Sequence, residues 1–188
     1  FNMLFLEEIW SRNFTNLFIA PLKVSEIITA LTITALLRTL IGIIPAILLA
    51  TPFFGVSIFN LGPSLTLLFL SLYLFGITLG LLVTAGLLRY GPAFENIAWS
   101  SLFLLAPLGC VYYPLSILPD WLQILAKALP LVYIFEEVRS ILVNNVVNYE
   151  NIMSALKLNL IYLASAVFIF YLAFYGARKK GTLINVGE

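Results

Sequence analysis

The sequence predicts an all-α integral membrane protein. It is expected to have four transmembrane helices, one amphipathic helix on the cytoplasmic surface and an outer re-entrant helical pair. Three observations carry this expectation. Apolar residues fill 62% of the 188 positions and charged residues only 10%, where a soluble domain carries about 25% charge; mean hydropathy is +1.05. Charge is absent over long runs: 50 residues between Arg38 and Arg89, 24 between Glu95 and Asp120, and 20 between Lys157 and Arg178. The runs are continuously apolar and not alternating, which argues against a barrel; a helix satisfies its own backbone in lipid.

About 20 residues, rising about 1.5 Å each, cross a hydrocarbon core about 30 Å thick. The longest run holds two such lengths, parted by Pro52, Gly55, Asn60, Gly62 and Pro63. Spans are therefore placed at 26–51, 64–88, 96–116 and 152–176, in one domain covering 1–188. Pro45 and Pro107 fall inside spans and are expected to kink them. Basic residues near span ends set the orientation. Arg12, Lys23, Arg89, Arg178, Lys179 and Lys180 lie on one side, Lys127, Arg139 and Lys157 on the other. The larger group belongs inside, so both termini are expected in the cytoplasm and segments 52–63 and 117–151 outside.

Residues 4–22 form the amphipathic element. Leu6, Ile9, Trp10, Phe14, Leu17 and Phe18 recur at helical spacing, opposite Glu7, Glu8, Arg12, Asn13 and Asn16, and Pro21 ends the pattern. This helix is too polar to span and is expected to lie along the cytoplasmic surface. It reads either as a membrane-surface anchor or as a docking helix for a cytoplasmic partner.

Residues 117–146 form the re-entrant pair. Pro119 and Asp120 suit a first helical turn. Pro130 is expected to interrupt after about three turns, with a second helix running from about Tyr133 to Asn144. Its apolar face is Ile134, Phe135, Val138, Ile141 and Leu142, and its polar face Glu136, Glu137, Arg139 and Ser140. Glu136 and Arg139 are three apart and can pair. The segment reads either as an outer cap with a solvated charged face or as a gate.

Arg38 lies inside the first span, twelve residues past Glu26 and too far along one helix to pair with it. A charge at that depth needs a cavity, a partner or a route to the interface. Gly76, Gly80 and Thr84 place small residues four apart, a helix–helix packing stripe.

Histidine is absent and Cys110 is the single cysteine, which removes histidine-based triads and histidine metal sites. No acidic cluster has metal spacing. Residues 176–182 lack the lysine and the preceding strand of a phosphate loop. A net charge of +1 offers no field for nucleic acid. The chain is not expected to be an enzyme, to bind a metal or to carry a cofactor of its own.

The order of these features resembles the permease subunits of type-2 ATP-binding-cassette (ABC) exporters. The opening, with Glu7, Glu8, Arg12, Asn13, Leu17, Phe18, Pro21, Leu22 and Glu26, is similar to that family's coupling helix and the start of its third span. Pro107, Pro114, Pro119, Trp121, Pro130 and Arg139 are similar to its fifth span and outer re-entrant helices. The resemblance implies a six-span permease of which this chain is the C-terminal two-thirds, without the first two spans. It implies a multi-pass protein of the plasma (inner) membrane that forms the substrate pathway with a second permease half, as a homodimer. Cytoplasmic ATPase subunits would bind ATP and Mg and push on the coupling helix. Glu7, Glu8, Arg12 and Asn13 would be the polar contacts, Trp10 and Phe14 would seat the helix, and Pro119, Trp121, Pro130, Glu136 and Arg139 would form the re-entrant gate. A secondary transporter or channel fragment, and a non-transporting scaffold, are the alternatives.

Overall fold

The computed structural model describes residues 2–11, 22–54, 62–91, 94–144 and 146–180. The elements run α1 (Asn2–Trp10), α2 (Val24–Phe54), α3 (Ser64–Tyr90), α4 (Glu95–Leu108), a 3₁₀ turn (Leu115–Ile117), α5 (Asp120–Ala126), α6 (Pro130–Asn144) and α7 (Tyr149–Lys180). No strand occurs among the described residues. Among the described residues three helices are long and apolar enough to cross a membrane: Val24–Leu49, Ser64–Tyr90 and Tyr149–Lys179. These fall on three of the expected spans.

The expected span at 96–116 is shorter in the structure. Helix α4 has 14 residues, about 21 Å of rise, against about 30 Å of hydrocarbon. It stops at Leu108 because the chain folds into a left-handed helix end. The Val111 N–H donates to the Ala106 carbonyl and the Cys110 N–H to the Pro107 carbonyl, a Schellman pair. Cys110 takes the left-handed position, φ 54°, that glycine usually fills. The glycine stands one residue earlier for a steric reason. A Cβ on Gly109 would lie 2.9 Å from both the Leu105 carbonyl oxygen and Leu131 Cδ1.

Other helix ends follow from local chemistry. Glu26 reaches back to accept the Lys23 N–H at 2.8 Å, half of a capping box at the start of α2. Helix α2 continues through Pro45 and Pro52 to Phe54, past the expected boundary at 51. Gly91, at φ 77°, ends α3. Asn148 Oδ1 accepts the Glu150 N–H at 3.0 Å and caps α7. Pro130 is the first residue of α6, a position that needs no N–H donor. The second re-entrant helix therefore begins three residues before Tyr133, and the first, α5, has only 7 residues.

The chain divides into two compact units. Unit 1 comprises Phe1–Leu40, Gly76–Trp99 and Ala164–Glu188. It buries Leu4, Phe5 and Leu6 of α1, Ile27 and Ala35 of α2, Leu81 and Leu87 of α3, and Phe170 and Phe174 of α7. Unit 2 comprises Ile41–Phe75 and Ser100–Leu163. One of its clusters joins Leu68, Ile134, Ile141, Ile152 and Ala155, and another joins Cys110, Leu118, Ala126 and Val132. The basic residues Lys23, Arg89, Arg178 and Lys179 belong to unit 1, and Lys127, Arg139 and Lys157 to unit 2.

Candidate functional site

Arg38 finds a partner on α1. Its Nη1 donates to Glu7 Oε1 at 2.7 Å. Arg38 is 14 residues beyond Val24, about 21 Å along the helix axis. Two side chains reach across much less than that, so Glu7 stands well along α2 and α1 runs beside that helix. Leu4, Phe5 and Leu6 are buried in succession, while Met3 and Glu7 leave one face of α1 exposed. The apolar stripe expected from spacing does not include Phe5. Helix α1 ends at Trp10, and Ser11 follows as a turn. Arg12, Asn13 and Phe14, and the side chain of Trp10, lie outside the described residues. The Glu8 carbonyl accepts the Ser11 hydroxyl at 3.2 Å.

In unit 2 the re-entrant helices are held by a compact polar network. Arg139 Nη1 donates to Glu136 Oε1 at 2.6 Å, and Nη2 to the Cys110 carbonyl at 3.2 Å. The same Glu136 oxygen accepts the Leu115 N–H at 2.8 Å. One guanidinium–carboxylate unit thus ties α6 to the left-handed end of α4 and to the 3₁₀ turn. Glu137 next to it is fully buried. It accepts the Asn148 N–H at 2.7 Å and the Asn151 Nδ2–H at 3.1 Å, which fastens α6 to the start of α7.

Glu136 and Arg139 remain partly exposed, but Glu137 does not belong to a solvated charged face, and for it that expectation is reversed. Ile134, Glu137, Val138 and Ile141 sit at i, i+3, i+4 and i+7, so Glu137 lies on the apolar stripe itself. That spacing was the signal in the sequence that marks it as buried. Asn159 was also missed. Its Nδ2 donates to the Ser71 carbonyl at 2.9 Å and the Ser71 Oγ at 2.7 Å, with both residues fully buried. This interhelical amide bond joins α7 to α3, the kind of polar contact that bundles use in lipid.

The family profile described as "ABC-2 type transporter" matches residues 1–143. The chain belongs to the ABC-2 transporter family. Comparison with curated proteins and with solved structures gave no match. An ABC-2 membrane domain is a transport component, so this is a multi-pass permease of an ABC transporter.

The remaining residues singled out in this ABC-2 permease are placed as follows. Gly80 and Thr84 are buried, but Gly76 is exposed and a Cβ there would meet no atom within 4 Å. The stripe is therefore not one closed seam within the chain. Pro119 is the residue that precedes α5, and Trp121 on α5 is exposed. Pro130 is buried where α6 begins. The structure gathers Glu136, Arg139 and Pro130 on one helix and joins Glu7 to Arg38. Among the described residues no group of histidine, cysteine, aspartate or glutamate has the arrangement of a metal site.

Proposed function

We propose that this permease is the membrane half of an ATP-driven exporter. It pairs with a second copy to form the substrate pathway and is driven by separate ATPase subunits that bind ATP and Mg. It sits in the plasma membrane with both termini in the cytoplasm. The match across 1–143 supports the transporter class, and the Glu7–Arg38 bond supports the coupling route.

When the ATPase subunits close, they press on the segment around Glu8, Arg12 and Asn13, seated by Trp10 and Phe14. Glu7 adjoins Glu8 in the chain and is bonded to Arg38, so a displacement at Glu8 is passed into α2. Glu7 thus acts as a link, with its neighbours making the external contact. A discrete element that both ends bias is what coupling of this kind requires. In unit 2, α5 and α6, with Pro119, Trp121, Pro130, Glu136 and Arg139, act as the gate. The open face at Gly76 is available to a neighbouring permease half.

The test is a charge swap in the assembled complex. Arg38→Glu and Glu7→Arg, each alone, should lower substrate-stimulated ATP hydrolysis by at least about fivefold, the lower end of ordinary site–site coupling. The double variant should recover it. Single variants that keep full stimulation, or a double variant no better than either, would count against this route.

A further inference from the structure

In unit 1 the C-terminal halves of α3 and α7 leave a cavity of about 610 Å³ between them. That lies within the range of about 300–1,000 Å³ common to small-molecule sites. Leu82, Ala85, Gly86 and Arg89 line one wall, and Ala173 and Gly176 stand in the other. Each set has the spacing of a single helical face. Small residues on facing helices usually let the backbones close together. Here the space stays open, and a Cβ on Gly176 would meet no atom within 4 Å. Gly86 has a separate reason to be glycine, because a Cβ there would collide with the Phe94 ring.

The cavity has a direction. Leu82 to Arg89 is seven residues, about 10 Å of helix rise. It is thus a slot along the helices, apolar within, with a guanidinium at the end where α3 stops. Arg89 is exposed, its guanidinium lies 5.6 Å from the Tyr90 ring centroid, and it has no ion pair among the described residues. Arg178 and Lys179, exposed in the last turn of α7, add positive charge at the end of the other wall. A free anion would satisfy Arg89 and leave the apolar walls uncovered. Basic pockets between membrane helices take anionic head groups.

We propose that the slot binds one anionic glycerophospholipid. Its phosphate meets Arg89 and one acyl chain lies along Gly86, Ala173 and Gly176. This site concerns the leaflet at the Arg89 end of α3 and does not depend on the direction of transport.

The experiment uses the full chain in detergent micelles, offered dioleoylphosphatidylglycerol or dioleoylphosphatidylcholine, with retained lipid counted by native mass spectrometry. The wild-type chain should hold one phosphatidylglycerol with a roughly fivefold preference, the factor that one arginine supplies near an anionic surface. Arg89→Gln should still retain lipid but without preference. Gly176→Leu fills the slot from a position with room for the side chain, and it also gains helix propensity. It should lose retention without a fall in thermal midpoint. Unchanged retention and preference in both variants overturns the proposal. So does a wild-type chain that holds neither lipid, or a photocrosslinker at Leu172 that captures a protein segment in place of lipid.

Discussion

In unit 2, Glu136 accepts from Arg139 and from the Leu115 N–H, and the buried Glu137 accepts from Asn148 and Asn151. In unit 1, the Glu7–Arg38 pair has side chains 46% and 56% exposed, and the slot between α3 and α7 stands open. The same residue types serve opposite ends. A charge closed within its own fold makes a rigid part, because an unpaired group in a low-dielectric interior is costly. A charge held at an open surface has water, lipid or another chain as its remaining environment. The contrast lies in the polar contacts, closed in unit 2 and open in unit 1, because both units leave large apolar side chains exposed.

The largest expected effect lies in unit 2. Glu137→Ala removes a charged acceptor and leaves the Asn148 N–H and Asn151 Nδ2–H without it, at a cost of about 3 kcal/mol. Thermal unfolding of the full chain in detergent should show a clear drop in midpoint, and Glu137→Gln a smaller one. An unchanged midpoint for Glu137→Ala would make the two units alike.

Next in size is Gly109→Ala. Its new methyl group would press on the Leu105 carbonyl and on Leu131, and overpacking of this kind costs about 1–3 kcal/mol. The same unfolding measurement checks it, and a midpoint equal to wild type would show that Leu131 yields freely.

The smallest effect has the opposite sign and lies in unit 1. Gly76→Ala sits in mid-helix with open space around it, so it should stabilise the chain by up to about 1 kcal/mol through helix propensity. If the chain forms the proposed dimer, its loss in that variant, with the chain itself no less stable, would place a second permease half against Gly76. Together these two glycine changes sharpen the contrast, since one chemical change should push the two units in opposite directions.

Much of the architecture was legible from hydropathy. Long charge-free runs correspond to α2, α3 and α7, and Pro119 with Asp120 opens α5 as expected. These features depend on chain length and local backbone chemistry, which act before any packing. The end of α4 was not legible, because the left-handed turn at Cys110 goes with the close approach of Leu131, 22 positions beyond Gly109. Pro130 looked like an interruption because proline both ends and begins helices, and only the turn at 127–129 distinguishes the two.

The candidate site shows the same division. Arg38 announced itself as a charge in need of company, and spacing excluded Glu26. That Glu7 is the companion depends on α1 running beside α2, a contact across 31 positions. Asn159 and Ser71 are 88 positions apart, and nothing local to either marks the other. Composition and periodicity settled that this chain lives in a bilayer as helices, since desolvation acts on each segment where it stands. Which charges meet, which glycines are crowded and which helix face stays bare were set by packing, because those properties belong to pairs of segments and exist only once the segments touch.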